Sequence, residues 1–231
     1  MIIGGLQPVT LLDYPQKVAA IVFTSGCNMR CHFCYNFKLV LPELIKDQQS
    51  FKEDEVLAFL KRRSQYLDGL VITGGEPTMQ ADLPEFLRQV KDFGYQVKLD
   101  TNGLLPEVLE KLLLEKLIDY IAMDIKGPLD QYEKFCGVKI KPEIIASSVK
   151  IVRNSGLPHE FRSTLVKGLH QKNDIIEMAK VIEGADLYYL QNFQADEILS
   201  GDISKVSGFT LEELEAMQKS IKGLVKQCLI R

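Results

Sequence analysis

Residues 18–36 have the sequence VAAIVFTSGCNMRCHFCYN, in which an uninterrupted apolar run leads directly into three closely spaced cysteines. The run over residues 18–23 is rich in β-branched side chains, which is typical of a strand buried on both faces. Cys27, Cys31 and Cys34 follow with the spacing Cys-x3-Cys-x2-Cys and no fourth cysteine nearby. This stretch therefore predicts a parallel α/β fold with a cysteine loop at the C-terminal end of a strand.

The same alternation of apolar strand and amphipathic helix recurs about six times along the chain, which places parallel strands inside and helices outside. The predicted strands cover residues 18–23, 69–73, 95–99, 118–123, 159–166 and 185–190. A closed barrel of eight such units needs about 250 residues. Six units in 231 residues predict an α/β fold of the partial (β/α)6 TIM-like barrel type, open on one side. A flat doubly wound sheet is the alternative.

No linker, low-complexity tract or repeat interrupts the pattern, so we expect a single domain over residues 1–231. Residues 2–12 form a short apolar lead-in and are predicted to add an extra strand or edge segment. The overall organisation is therefore one repeated strand–helix unit with an addition at its start.

Composition and charge exclude several classes of function. The chain is 46% hydrophobic and 26% charged, with a formal net charge of −3, so neither a nucleic-acid partner nor a polybasic membrane anchor is indicated. We find no apolar run of membrane-spanning length and no signal-peptide pattern. We expect a cytoplasmic protein whose clustered cysteines are ligands or redox groups. Cys136 and Cys228 lie far from the cluster in sequence, and we expect both to be small buried hydrophobes.

Every unusual polar motif follows the end of a predicted strand. The cysteine loop comes first, and residues 74–77 (Gly-Gly-Glu-Pro), 100–103 (Asp-Thr-Asn-Gly) and 124–126 (Asp-Ile-Lys) follow later strands. Loops at the carboxyl ends of parallel strands converge on one edge of the sheet. Four such motifs in succession predict a single composite site.

Thiolates at this spacing suit soft or borderline metals. One interpretation is an iron–sulfur cluster with three protein ligands, which leaves one iron open to a small molecule. The alternatives are a zinc site in which His32 joins the three cysteines, and a cluster of reduced thiols without metal. Because His32 directly follows Cys31, it is awkwardly placed for one tetrahedral site, and no second Cys-x2-Cys pair exists. The cysteines therefore favour iron–sulfur over zinc.

The cysteine spacing, with the aromatic Phe33 before the last cysteine, resembles the signature of the radical S-adenosylmethionine (SAM) superfamily. The resemblance implies that Cys27, Cys31 and Cys34 are the metal-binding and catalytic cysteines of a [4Fe-4S] cluster. It further implies that the open iron chelates SAM, and that reductive cleavage of SAM gives a 5′-deoxyadenosyl radical that abstracts hydrogen.

The later motifs resemble those of the glycyl-radical-enzyme activating group within this superfamily. Residues 74–76 resemble the segment that binds the methionine amino group of SAM, and Lys126 resembles the lysine that meets its carboxylate. The resemblance also implies a monovalent cation near Asp100 and Asp124, whose hard oxygen donors suit such an ion. The complete set of implied cofactor-binding residues is Phe33, Tyr35, Gly74, Gly75, Glu76, Asp100, Thr101, Asn102, Asp124, Lys126 and Arg162.

One departure concerns the partner. Activators of pyruvate formate-lyase carry a histidine after the sixth strand, where this chain has Gln191 and Asn192. The opening residues 5–15 resemble the activators of anaerobic ribonucleoside-triphosphate reductase instead. His159 and His170 have no place in the motifs, and we expect structural or surface roles for them.

The resemblance predicts an enzyme that takes one electron from a flavodoxin or ferredoxin and activates a glycyl radical enzyme. The favoured partner is anaerobic ribonucleoside-triphosphate reductase. The alternatives are a pyruvate formate-lyase-type activator, a small-molecule radical SAM enzyme of the deazaguanine synthase type and, from another class, a zinc-stabilised binding module.

Overall fold

The structure is a computed structural model, and it describes residues 1–46, 50–194 and 206–231. Within these ranges eight strands alternate with helices. The strands are β1 (Ile3–Thr10), β2 (Ala19–Thr24), β3 (Gly69–Gly74), β4 (Gln96–Thr101), β5 (Tyr120–Asp124), β6 (His159–Leu165), β7 (Leu187–Asn192) and β8 (Gln227–Ile230). The α-helices are α1 (Pro42–Ile45), α2 (Glu53–Arg63), α3 (Leu83–Asp92), α4 (Pro106–Leu114), α5 (Tyr132–Cys136), α6 (Pro142–Asn154), α7 (Lys172–Val181) and α8 (Leu211–Ser220). Short 3₁₀ helices cover Phe37–Leu39, Pro77–Met79 and Leu129–Gln131.

The strands form one open sheet in which their order in space is their order in the chain. Strand β1 is antiparallel to β2, whereas β2, β3 and β4 are mutually parallel, as are β6, β7 and β8. A doubly wound sheet reverses its strand order at a switch point, and this sheet does not. The predicted open α/β fold of the partial-barrel type is therefore confirmed, and the doubly wound alternative is wrong.

The six predicted strands correspond to β2–β7, and the lead-in is the additional strand β1. Strand β8 was not predicted, because its four residues are too few to show a clear alternation of apolar and polar side chains. Residues 210–213 (Thr-Leu-Glu-Glu) have the sequence of a capping box, which predicts a helix start, and both of its hydrogen bonds are present at the start of α8. Residues 50–53 (Ser-Phe-Lys-Glu) also resemble a capping box and predict a helix from there to about Arg63. The predicted cap is wrong, since α2 begins at Glu53 and Phe51 instead donates its N–H to the Ile3 carbonyl.

The chain divides into two compact units, and strand β5 contributes residues to both. The first unit consists of Met1–Asn28, Asn36–Thr101 and Leu105–Ile121. The second unit consists of Met29–Tyr35, Asn102–Leu104 and Ala122–Arg231. The single domain expected from the sequence stays a prediction. None of the helices in the described ranges has the length and apolarity needed to cross a membrane.

Apolar residues of α3 recur at positions i, i+3, i+4 and i+7, a spacing that predicts one buried helix face. Helix α3 turns its apolar stripe of Leu83, Phe86, Leu87 and Val90 inward, and all four side chains are completely buried. Strand β3 carries consecutive buried residues because both faces of the sheet are covered. The predicted polar motifs begin at the carboxyl ends of the strands in this core.

We expect Leu87→Ala to lower the free energy of unfolding by about 2–5 kcal/mol, because it removes buried methyl groups and leaves a cavity. Leu114→Ala in α4 is the matched control, since Leu114 is 84% exposed and its truncation should change stability by less than about 0.5 kcal/mol. Denaturant unfolding of both variants measures the difference. Equal losses in the two variants would contradict the assignment of the inward face of α3.

Candidate active site

Parallel pairing of β2, β3 and β4 brings the first group of predicted site residues to one edge of the sheet. Thr24 and Gly74, the last residues of β2 and β3, are partners in register. Cys27 follows β2 by three residues, residues 74–76 continue from β3, and residues 100–101 end β4. Within the first unit, the three motifs therefore lie at the carboxyl ends of adjacent strands.

Main-chain hydrogen bonds continue past the ends of β2 and β3. Gly75 donates its N–H to the Thr24 carbonyl at 2.8 Å, and Glu76 donates to the Gly26 carbonyl at 2.8 Å. A Cβ at Gly75 would lie 2.0 Å from the Gly26 oxygen, and one at Gly74 would lie 2.5 Å from the Thr24 nitrogen and oxygen. Gly74 also has φ of +113°, a left-handed conformation that favours glycine. The two glycines thus let this segment lie directly against the backbone that leads into Cys27.

Glu76 is almost fully buried, at 1% exposure, and its carboxylate is held by two threonines. Its Oε1 atom accepts hydrogen bonds from the Thr78 N–H at 3.1 Å, the Thr78 hydroxyl at 2.5 Å and the Thr101 hydroxyl at 2.8 Å. The contact with Thr101 joins the motif after β3 to the motif at the end of β4. A buried carboxylate held by neutral donors can accept from an ammonium group, as the predicted role of Glu76 requires.

Asp100 lies beside a buried lysine of its own strand. The Lys98 ammonium is 2.7 Å from Asp100 Oδ1, and the two residues are on the same face of β4 because they are two positions apart. Lys98 was not among the predicted site residues, although a lysine inside an otherwise apolar strand is a recognisable sequence signal.

In the second unit, the other two cysteines lie on a segment that is hydrogen-bonded to the end of α5. The Arg30 N–H donates to the Cys136 carbonyl at 2.8 Å, and the Cys31 thiol lies 3.9 Å from the same oxygen. The Cys34 N–H closes a turn by donating to the Cys31 carbonyl at 3.1 Å. Gly137, with φ of +72°, permits this contact, because a Cβ there would lie 2.3 Å from the Arg30 oxygen.

The cysteine side chains fit a cluster in their chemistry. None of Cys27, Cys31 and Cys34 is in a disulfide, so all three are available as thiolate ligands. Over the described ranges, no group of three or more His, Cys, Asp or Glu side chains is arranged to hold one metal ion. The cysteines of a four-iron cluster each bind a different iron, so this donor set does not need to converge on a single point.

Asp124 is bound by two cations within the second unit. Its Oδ2 atom is 3.0 Å from the Lys126 ammonium, and its Oδ1 atom is 3.0 Å from Nε of Arg162. Although burial alone would raise the pKa of Asp124, the charges of Arg162 and Lys126 lower it to about 2. Burial alone would lower the pKa of Lys126, but the negative charge of Asp124 and its hydrogen bond to the ammonium raise it.

Lys126 is therefore charged at neutral pH. Its ammonium group has three N–H donors, of which the Asp124 carboxylate accepts one. The group can accordingly donate to a further carboxylate, as the predicted role of Lys126 requires.

The backbone of Lys126 is clamped by two residues that the sequence did not single out for the site. Its N–H donates to the Tyr132 hydroxyl at 3.1 Å, and its carbonyl lies 3.0 Å from Nε2 of His170. Since His170 Nδ1 accepts from the Val166 N–H at 3.1 Å, the imidazole proton lies on Nε2 and is donated to Lys126. Burial lowers the pKa of His170, which keeps this neutral form. The expected structural role of His170 is thus observed, and it acts on a predicted site residue.

The aromatic residues of the cysteine loop contact other rings of the second unit. Phe33 meets His170 edge-on with ring centroids 5.8 Å apart. Tyr35 stacks on Phe193 at 5.5 Å, and its hydroxyl accepts the Gln194 N–H at 2.6 Å. These contacts fix both rings, and the adenine contacts expected of them stay predictions.

The remaining polar residues named from the sequence are Asn102, Gln191 and Asn192, and each has a partner in its own unit. Asn102 accepts the Leu104 N–H at 3.0 Å, which makes a turn after β4. Asn192 donates to the Phe209 carbonyl at 2.9 Å and accepts the Phe209 N–H at 2.8 Å. Both ends of the Asn192 side-chain amide therefore bind the backbone of Phe209, so Asn192 stabilises this segment. Gln191 lies beside Thr164 in the register of β7 with β6.

The structure thus assembles the predicted residues as two groups, one in each unit. The first unit contains Cys27, Gly74, Gly75, Glu76, Asp100 and Thr101. The second unit contains Cys31, Phe33, Cys34, Tyr35, Asn102, Asp124, Lys126 and Arg162. Their union in a single composite site, and the ligand role of each, stay predictions.

Known proteins are similar in sequence to this chain over most of its length. The sequence profile of the Radical SAM superfamily matches residues 21–182. A "Putative glycyl-radical enzyme activating enzyme" of Methanocaldococcus jannaschii is 33% identical over all of this chain and 95% of its own length. The pyruvate formate-lyase-activating enzyme of Clostridium pasteurianum is 27% identical over 98% of this chain and 96% of that enzyme. The chain therefore belongs to the radical SAM superfamily and, within it, groups with the glycyl-radical enzyme activating enzymes.

A solved structure shows the same fold. The crystal structure of Streptococcus suis SuiB bound to S-adenosylmethionine superposes with a TM-score of 0.66 at 17% identity and covers 91% of this chain. The chain spans 51% of the length of that protein, so the likeness concerns the fold alone. Superfamily membership implies a [4Fe-4S] cluster and SAM as cofactors, and it favours the cluster over the zinc alternative for the three cysteines.

We expect Gly75→Ala to reduce the iron bound per chain after anaerobic reconstitution, because the new Cβ would displace the Gly26 carbonyl and with it the segment leading to Cys27. Gly94→Ala is the control, since the φ of +90° at Gly94 makes that substitution costly too, but a Cβ there would face open space. Both changes should cost about 1–3 kcal/mol of stability, yet only Gly75→Ala should lose iron. Equal iron in the two variants would show that the close approach is irrelevant to the cysteine loop.

We expect His170→Phe to lower the free energy of unfolding by about 2–4 kcal/mol and to weaken SAM binding, because it leaves the Lys126 carbonyl and the Val166 N–H without their buried partner. The same substitution at His159 removes one hydrogen bond, to Leu157, and should cost about 1 kcal/mol without changing SAM affinity. Denaturant unfolding and equilibrium SAM titration measure both effects. Unchanged SAM affinity in His170→Phe would contradict the clamp on Lys126.

Proposed function

We propose that the chain is an activating enzyme that cleaves SAM reductively and abstracts a hydrogen atom from a glycine Cα of a partner protein. The supporting observation is the near full-length similarity to a glycyl-radical enzyme activating relative, combined with strand-end motifs whose side chains suit the two polar groups of methionine. The favoured partner is anaerobic ribonucleoside-triphosphate reductase, because residues 5–15 resemble its activators and Gln191 and Asn192 stand where a histidine is expected.

The chain's own residues have binding and orienting roles in this proposal. Glu76, held by Thr78 and Thr101, accepts from the SAM ammonium, and the segment around it follows the glycines that lie on the cysteine loop. Lys126, whose charge is secured by Asp124, donates to the SAM carboxylate. Arg162 holds the other oxygen of Asp124 and so keeps the lysine in place. Cys27, Cys31 and Cys34 are the proposed cluster ligands.

A [4Fe-4S] cluster held by Cys27, Cys31 and Cys34 would supply the electron for breaking the sulfonium bond of SAM, with release of methionine. In the complete reaction one electron enters from a flavodoxin or ferredoxin, and the 5′ carbon of the adenosyl group gains one hydrogen atom from the glycine. The products are methionine, 5′-deoxyadenosine and a glycyl radical, so atoms and electrons balance. This chemistry needs reduced thiols, which agrees with the proposed cytoplasmic location.

The proposal is tested by anaerobic incubation of the reconstituted enzyme with SAM, reduced flavodoxin and one candidate partner at a time. We expect a glycyl radical doublet in electron paramagnetic resonance and an equivalent amount of 5′-deoxyadenosine with the ribonucleotide reductase. A doublet only with pyruvate formate-lyase would assign the alternative partner. Turnover of SAM with a small molecule, and no radical on either partner, would overturn the activating function.

Alanine variants of the cysteines separate the ligand assignment from the choice of partner. We expect Cys27→Ala, Cys31→Ala and Cys34→Ala each to abolish 5′-deoxyadenosine formation, whereas Cys228→Ala, outside the motif, should retain it. Chromatographic measurement of 5′-deoxyadenosine makes the comparison. Retained cleavage in all three motif variants would refute the cluster ligands.

The monovalent cation that the resemblance implies beside Asp100 and Asp124 is a separate matter. Both carboxylates already have cationic partners in their own units: Lys98 for Asp100, and Lys126 and Arg162 for Asp124. These contacts do not favour an additional ion.

A further inference from the structure

Lys98 occupies a layer of the sheet that is otherwise apolar. In the register of the first unit, Ile21 of β2, Val71 of β3 and Lys98 of β4 stand side by side. Ile21 and Val71 belong to a buried cluster with Tyr120, whose ring centre is 5.9 Å from the Lys98 ammonium. Lys98 is only 2% exposed. Because an ammonium group is costly to bury without compensation, its presence here requires charged or polar partners.

Asp100 provides such a partner at the next level of the same strand. The distance of 2.7 Å is that of a charge-assisted hydrogen bond, and the carboxylate side chain is 12% exposed. The aromatic face of Tyr120 lies within the range of a cation–π contact with the same ammonium. The ammonium is covalently tethered, so it neutralises Asp100 without the entropy cost of capturing an ion from solution.

We propose that Lys98 is the built-in counter-cation of Asp100 and that this carboxylate consequently recruits no monovalent metal ion. Lys98 is then a positioning residue: it holds Asp100 neutralised and oriented at the end of β4, next to Thr101, which donates to Glu76. The effect on SAM affinity rests on the proposed function, whereas the effect on cation binding does not.

The first test measures cation binding directly. Crystals of the reconstituted protein grown without SAM are soaked in thallium(I) acetate, and anomalous scattering locates the ion. We expect no thallium at the Asp100 carboxylate of the wild-type protein and a thallium ion there in Lys98→Ala, where the ammonium and its stem have been removed. Thallium at Asp100 in the wild-type protein would overturn the proposal. The wild-type measurement does not depend on the folding of any variant.

The second test measures SAM affinity in choline, sodium and potassium buffers of equal ionic strength. We expect the wild-type dissociation constant to change less than about twofold, whereas Lys98→Ala in choline should bind SAM about tenfold more weakly, with recovery in potassium. Lys98→Met fills the same space without charge and should stay weak in every buffer, and Lys98→Arg should behave as wild type. Lys91→Ala removes a partly exposed lysine paired with Asp119 and serves as the unaffected control.

Each outcome has a separate meaning. A wild-type enzyme that needs potassium or sodium for tight SAM binding overturns the counter-cation, as does a folded Lys98→Ala protein that is not rescued by potassium. Absence of SAM binding in every protein, with the expected thallium pattern, leaves the counter-cation intact and refutes the proposed function instead.

Discussion

Parallel hydrogen bonding between β2 and β3 is the constraint on which the predicted site residues of the first unit depend. Thr24 and Gly74 end their strands in register, and the pairing continues through the Gly75 and Glu76 amides onto the backbone before Cys27. This continuation requires two glycines, since a Cβ at either position would overlap main-chain atoms. The two glycines, which the resemblance assigns to the SAM-binding segment, thus allow close contact with the backbone of Thr24 and Gly26. The position of Glu76 follows from that contact.

Charge neutralisation organises the ends of the next strands. Lys98 with Asp100, and Asp124 with Lys126 and Arg162, are ion pairs at largely buried positions. Such groups are stable only when partners satisfy them, and each partner then fixes the orientation of the other. These charged side chains are held in fixed positions by their partners. Such preorganised charges suit the binding of a zwitterion such as methionine, because they need no rearrangement when the ligand binds.

Much of the fold was predictable because its signals are local. The alternation of strand and helix patterns marked β2–β7, the recurrence of apolar residues at positions i, i+3, i+4 and i+7 marked the buried face of α3, and Thr210 with Glu213 marked the start of α8. The failures occurred where local signals were short or were overridden. Strand β8 has four residues, and the entry to α2 is determined by the bond from Phe51 to the distant Ile3 rather than by a cap at Ser50.

The sequence by itself determined the alternation of strands and helices, the three-cysteine motif, and the positions of the polar motifs after strand ends, because these depend on spacing along the chain. Only the tertiary structure decided which groups hold them: Thr101 on Glu76, Lys98 on Asp100, and His170 with Tyr132 on the backbone of Lys126. The contact of His170 with Lys126 joins residues 44 positions apart, and it arises from the way the elements pack. The sequence around a histidine or lysine does not identify the partner that tertiary packing brings to it.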